Sequence, residues 1–305
     1  MLKFINNIDL KLQRKKLQFR KTIKESGTIE GIGLHSGENT RLTFYPAEAG
    51  QGILFYRGKN HEKNYLSVTV DNVIDTSLAV TIGKRKYFVQ TIEHLMFALY
   101  ILNITDIIIE IQGGNEIPIL DGSAYPFLEI LQQCEFHEFS TEVKPLIIKT
   151  PVMVSDGNRY IVGLPDKDLK ISYSIDYAHP LLKNLSTQIS YTDKLFMEHI
   201  SRARTFGFMK DYEILKSRGL AQGGSTENVL VFTTEGTLNE QRYLNEALFH
   251  KILDMIGDLS IIGRPIVGHL LGSKGGHALD IAFAKKLLYT HSQSELDDSA
   301  RFSIA

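Results

Sequence analysis

His250 and Asp254 stand four residues apart in the segment from Asn245 to Leu259, NEALFHKILDMIGDL. Leu248, Ile252, Leu253, Met255, Ile256 and Leu259 recur there at helical spacing, which predicts one amphipathic helix. Positions i and i+4 of a helix lie one above the other on the same face. An imidazole nitrogen and a carboxylate oxygen would therefore meet a few ångströms apart. A catalytic zinc takes three N/O ligands and keeps a fourth position open for water, and this pair offers two of them. The same spacing also suits a hydrogen-bonded surface pair, and so short a motif leaves both readings open.

A further ligand and a base are on offer at His94 and Glu93. The stretch 90–100, QTIEHLMFALY, is apolar-periodic, and Thr91 stands where an N-cap would sit. Adjacent residues diverge by about 100° around a helix, yet both line one cleft if the helix end is presented to it. His94, His250 and Asp254 would then be three ligands, with Glu93 beside the metal's water. Zinc lowers the pKa of such a water towards neutrality, and a nearby glutamate takes its proton as attack begins. The alternative is a helical first turn in which Glu93 complements the helix dipole and His94 caps the core.

A third histidine, His277, lies in Leu270-Leu-Gly-Ser-Lys-Gly-Gly-His-Ala-Leu279, between a strand-like run from Pro265 to Leu271 and a following helix. Glycines there allow close backbone approach. A histidine on such a loop can protonate a leaving amine or hold a developing oxyanion. The spacing does not match a phosphate-binding loop.

The elements that must carry these residues fall into two similar successions. After His94 come Leu95 to Leu102, a turn at Asn103, and the β-branched run Ile107 to Ile111. After His250 come Ile252 to Ile262, a Gly-Arg-Pro turn, and Pro265 to Leu271. Each is followed by a glycine-bearing loop and another apolar helical segment, a helix–strand–loop–helix parallel that suggests two domains of similar architecture. The boundary is expected between Phe139 and Pro145, where STEVKP interrupts the pattern. Leu169, Ile171, Tyr173 and Ile175 alternate with polar residues, as in a strand with one buried face. The fold class is therefore α+β, each sheet covered by helices. The expected division is a basic N-terminal extension over 1–20, a first domain over 21–142, a second over 143–292 and a tail over 293–305. The stretch 204–232 reads as a compact β-α-β insert rich in large apolar groups (Phe206, Phe208, Met209, Tyr212, Leu215), with Gly223 and Gly224 permitting a tight return. From the residues alone the favoured reading is an ordinary small satellite core.

The 305 residues carry a net charge of −1 and are 43% hydrophobic, which is ample for buried cores. That charge hides an asymmetry, since residues 1–24 hold eight Lys/Arg against one Asp. Such an arm can hover near anionic lipid, or can be a solvated terminus. It lacks the apolar core of a signal peptide, and no run approaches the length that crosses a bilayer. Membrane contact is thus at most peripheral, and no motif reads nucleic acid. A single cysteine, Cys134, excludes an internal disulfide and fits a reducing cytoplasm.

Taken together, GIGLHSGE (31–38), TIEHLMFALY (91–100), NEIPILDGSAYPF (115–127), SRARTFGFMKDYEILKSRGLAQGGS (201–225), HKILDMIGDL (250–259) and GHALD (276–280) resemble the zinc-dependent UDP-3-O-acyl-N-acetylglucosamine deacetylases of bacterial lipid A synthesis. The resemblance runs from about residue 22 to 290 in the family's order. It implies that His94, His250 and Asp254 hold one zinc ion, that Glu93 is the general base and His277 the general acid, and that Asp258 orients His277. Thr205 would be the oxyanion-side hydroxyl. Lys251, Phe206, Phe208, Met209, Tyr212, Gly224 and Ser225 would contact substrate, the insert forming a channel for its acyl chain. It also implies two layered domains packed face to face around a cleft, and a monomeric enzyme. The first twenty residues have no counterpart in the family's usual start, and Ala79 stands where some relatives carry a cysteine. Two other functions stay open at this point: a zinc hydrolase of a different acetamido sugar, and a zinc or sugar-nucleotide binding protein without turnover.

Overall fold

The computed structural model describes residues 18–58, 65–84, 87–191 and 193–302, with the side chains of 193 and 294–302 outside that description. Most of the basic arm lies outside the described residues, whose first segment is strand β1 (Gln18–Ile23).

The β-branched run predicted as a strand is β9 (Ile107–Gly113), with Ile107, Ile109 and Ile111 fully buried on one face. It is the centre of a five-stranded sheet. β2 (Gly27–Ile32) and β3 (Asn39–Pro46) lie on one side of it, β4 (Ile53–Tyr56) and β5 (Leu66–Ser67) on the other. Every neighbouring pair is antiparallel except β4 and β9. A smaller antiparallel sheet of β6 (Val73–Asp75), β7 (Thr81–Lys84) and β8 (Tyr87–Gln90) leads into the first helix.

The second half repeats this order. Its centre is β18 (Ile266–Ser273), flanked by β13 (Arg159–Leu164) and then β12 (Val152–Asp156) on one side. On the other side are β14 (Leu169–Ile175) and β15 (Leu185–Ser190). The inner pair β14–β18 is parallel and the others antiparallel, so the hydrogen-bonding pattern matches the first sheet strand for strand. β11 (Leu146–Ile147) adds a short parallel pairing to β18. In both halves the central strand comes last in sequence, and a helix feeds it.

Those two helices are α1 (Glu93–Ile101) and, after α2 (Tyr125–Gln133), α3 (Asp193–Glu198) and α4 (Met209–Ser217), the long α5 (Glu246–Ser260); α6 (His277–Phe302) follows β18. α1 and α5 pack against each other. Their approach is close enough that a Cβ at Gly257 would collide with the Glu93 carbonyl. α5 departs from the amphipathic expectation: every residue except Phe249 is buried. It is covered by α1, α6 and the sheet strand β14, so no face is left for solvent. Among the described residues no helix is long and apolar enough to cross a membrane.

One other expectation needs correction. Thr91 does not cap α1; its φ is +59° and its hydroxyl donates to Glu116 Oε1 at 3.0 Å, while Ile92 occupies the N-cap position. The stretch from Phe139 to Pro145, where the domain boundary is expected, is mostly strand, β10 (Phe136–Val143), paired antiparallel with β1. The tail continues as helix to Phe302. The 204–232 stretch does form a β-α-β unit: β16 (Phe206–Phe208), α4, and β17 (Leu230–Phe232), with the strands parallel.

Candidate active site and metal centre

α1 and α5 bring their polar residues to one buried point. One ligand atom each from His94, His250 and Asp254 lies within 4.8 Å of the others, and all three residues are buried. Asp254 Oδ1 is 3.2 Å from His250 Nε2 and 3.8 Å from His94 Nε2. The two rings stand edge to face at 90°. His250 Nδ1 lies 3.0 Å from the Ala203 carbonyl, which holds the proton on Nδ1 and turns the Nε2 lone pair inward. Asp254 Oδ2 accepts from Lys251 Nζ at 2.7 Å, while its Oδ1 has no hydrogen-bond partner.

A buried carboxylate oxygen left unpaired is costly, and here it faces two imidazole nitrogens. Burial, then the neighbouring His250, push the His94 imidazole down to about 3, so it is neutral and able to ligate. Burial by itself would raise Asp254, yet the charges of His250 and Lys251 hold it well below the usual carboxylate range. Two neutral imidazoles and one carboxylate fit a tetrahedral zinc with an open fourth position.

Beside this set lies a second one: Glu93, Asp258 and His277, again with atoms within 4.8 Å. Glu93 sits on the first turn of α1, 3% exposed, and accepts Val80 N–H at 3.1 Å on Oε2. Burial pushes its carboxyl up to about 8, opposed by His277 and reinforced by Asp258 and Asp254. His277 opens α6 and its Nδ1 is 2.8 Å from Asp258 Oδ2. Its other ring nitrogen is thereby free for a substrate. A carboxyl able to exchange a proton near neutrality, next to an imidazole oriented by a carboxylate, is the arrangement general acid–base catalysis requires.

Thr205 follows Ala203 and Arg204, so the backbone that fixes His250 also delivers the threonine. Arg204 is anchored by Glu246, which accepts from its backbone N–H and from its Nε and Nη2. Arg242 N–H donates to the same carboxylate at 2.7 Å. Burial would raise Glu246, but these bonds, Arg204's side chain foremost, hold it below its ordinary value. Its stabilising contribution is therefore full above about pH 4.5 and is lost as pH falls through the lower folded value. Glu246→Ala strands a buried guanidinium, so a loss on the order of 3–5 kcal/mol is expected at pH 7. Urea unfolding should show the gap to wild type narrowing below pH 4.

An apolar cavity of about 430 Å³ opens along the β-α-β unit. Phe206, Phe208, Met209, Tyr212, Gly224 and Ser225, all expected to meet substrate, line it together with Thr205. Phe206 stacks edge-on with Phe208 and with His250, centroids 6.4 and 6.2 Å apart, so the cavity runs up to the candidate metal-binding cluster. Lys251 is not in its lining; it is buried and paired to Asp254. Sequence reasoning passed over His35, which lines the same cavity and is close enough to His277 for their charges to interact. It sits in the quoted GIGLHSGE stretch, on a turn that Glu116 pins by accepting the His35 and Ser36 backbone N–H groups. It also passed over Asp280, fully buried behind Asp258.

The comparisons with known proteins point the same way. A family model described as UDP-3-O-acyl N-acetylglycosamine deacetylase matches residues 20–289. A Leptospira biflexa protein named UDP-3-O-acyl-N-acetylglucosamine deacetylase is 47% identical over 279 residues, covering 91% of this chain and 92% of its own. Proteins of the same name from Myxococcus xanthus and Syntrophus aciditrophicus are 39% and 38% identical; they cover 92% and 89% of this chain, and 90% and 87% of their own. With a match over nearly its whole length, this chain belongs to the UDP-3-O-acyl N-acetylglycosamine deacetylase family.

Proposed function

We propose that the protein is a zinc-dependent amidohydrolase that removes the N-acetyl group of UDP-3-O-(3-hydroxyacyl)-N-acetylglucosamine. The products are UDP-3-O-(3-hydroxyacyl)-glucosamine and acetate, in the committed step of lipid A biosynthesis. The observation that carries the reading is the buried His94, His250 and Asp254 cluster with Glu93 and His277 immediately beside it, in a chain of this family.

A zinc ion on those three side chains would polarise the acetyl carbonyl and make a water acidic. Glu93 would accept a proton from the attacking water as the water's oxygen joins the acetyl carbon. Thr205 donates to the carbonyl oxygen as negative charge builds there. His277, held by Asp258, gives a proton to the sugar nitrogen as the C–N bond breaks, so the amine leaves neutral. Lys251 keeps Asp254 ionised, and the cavity beside Phe206 takes the acyl chain.

The repeated strand order and the α1–α5 packing support two domains, over 21–142 and 143–292, face to face around this cleft. A single free cysteine, buried at Cys134, suits a cytoplasmic setting, and the UDP-sugar is the only partner the site calls for in a monomer.

Release of acetate from a defined UDP-3-O-acyl-N-acetylglucosamine, followed by mass spectrometry, tests the activity. Metal analysis tests the ligands. Wild type should hold about one zinc per chain, and His94→Ala should lose it on mild dialysis while staying folded. A His94→Ala protein that kept its ion as tightly as wild type would remove α1 from the ligand set.

A further inference from the structure

Asp280 is 0% exposed and neither of its carboxyl oxygens has a hydrogen-bond partner. Asp258, also 0% exposed, has a partner on Oδ2, the His277 ring, but none on Oδ1. The two carboxyl groups interact side chain to side chain. Five further groups face this point, Glu93 of α1 among them, with a carboxylate oxygen within 4.8 Å of one of Asp258. From α5 comes Lys251, already committed to Asp254 at 2.7 Å, and Asp254 itself acts on Asp258. From β14 comes Tyr173, whose hydroxyl, like Asp280, lies over Gly275. From α6 itself comes His277.

An ionised carboxylate buried without donors is strongly disfavoured. A protonated one carries an O–H that needs an acceptor, and Asp258 Oδ1 is an acceptor without a donor. Each group therefore completes the other when the pair holds one proton.

We propose that Asp280 is a positioning residue, a neutral acid that donates a hydrogen bond to Asp258 Oδ1 and so fixes the carboxylate that orients His277. The inference rests on the reading of His277 as general acid. Burial, then the charge of Asp258, push the Asp280 carboxyl well above its ordinary range. Burial and Asp254 also raise Asp258, but Asp258 has the His277 ring on its Oδ2 whereas Asp280 has no donor on either oxygen, which puts the proton on Asp280 and the charge on Asp258. His277 then faces one negative charge rather than two, and Oδ2 cannot rotate away from its Nδ1–H.

The experiment compares Asp280→Asn with Asp280→Leu in the zinc-loaded enzyme. Asparagine keeps a donor in the same shape, so kcat within about threefold of wild type is expected. Leucine keeps the γ-branched shape, with more bulk and without the donor; kcat should fall roughly 10–100-fold with KM and zinc content unchanged, as for other orienting partners. The infrared difference spectrum of wild type minus Asp280→Asn at neutral pH should show a protonated-carboxyl stretch, the contribution of Glu93 being common to both and cancelling. The downfield proton signal of His277 Nδ1–H should persist in Asp280→Asn and shift in Asp280→Leu. Absence of the infrared band, or full kcat with an unmoved proton signal in Asp280→Leu, overturns the proposal. If Asp280→Leu does not fold, the infrared comparison of wild type and Asp280→Asn still decides. His277→Ala separates the two readings: full activity there ends the role of His277 as acid, while the carboxyl band continues to report on Asp280.

Discussion

Glu93→Gln is expected to lower kcat by 10²–10⁴-fold, about 3–5 kcal/mol of transition-state stabilisation, while the protein keeps its zinc and its fold. Glutamine preserves the volume and can still accept the Val80 N–H that holds Oε2 at 3.1 Å. What it cannot do is take a proton. The residue is buried against Asp258 and His277 and lies outside the His94–His250–Asp254 set, so metal content should stay near one per chain. Steady-state kcat on the acylated UDP-sugar, measured beside metal analysis of the same sample, gives the result. A Glu93→Gln enzyme running near wild-type speed would remove the general base from the reaction.

Cutting the 3-O-acyl group to acetyl should lower kcat/KM by roughly 200-fold. At about 0.8 kcal/mol per buried methylene, losing four costs about 3 kcal/mol. The cavity beside Phe206, Phe208 and Val231 holds about 430 Å³ of apolar space, and binding there can be spent on positioning the amide. Making Phe208 or Tyr212 polar should reproduce part of the loss without touching zinc. Met209, already 42% exposed, should matter less. Equal turnover of the long-chain and acetyl substrates would leave the cavity without a role and favour hydrolysis of some other acetamido sugar.

The spacing of His250 and Asp254 was legible because a helix turns i and i+4 to one side whatever surrounds it. The alternation in β14 was legible for the same kind of reason: all four of its predicted core residues are buried. What covers an element is not local information. α5 reads as amphipathic, yet three neighbours bury its whole circumference. Thr91 looks like a cap until Glu116, 25 residues on, offers its hydroxyl a better acceptor. The stretch FHEFSTEV has no clear period because β10 is a two-stranded edge with mostly exposed side chains, and only its partner β1 makes it a strand. That His94 meets His250 depended on family resemblance, since nothing in either segment specifies the other. Asp280 and His35 lay inside the quoted GHALD and GIGLHSGE stretches, but each is a single polar residue whose meaning comes from a distant neighbour.

The burial of α1 has a bearing on how the protein comes into being. Glu93 to Leu99 are all buried, and α5 supplies much of that cover: Gly257 abuts the Glu93 carbonyl and Ser260 Oγ donates to Met96 O. The ribosome delivers α5 about 150 residues after α1, an interval of roughly ten to thirty seconds at ordinary elongation rates. Throughout it the emerging chain carries a partly uncovered apolar helix and a single one of the three proposed ligands. Chaperone capture of nascent chains should concentrate in that window, and on the proposed ligand set zinc would be loaded only once translation has passed Asp254.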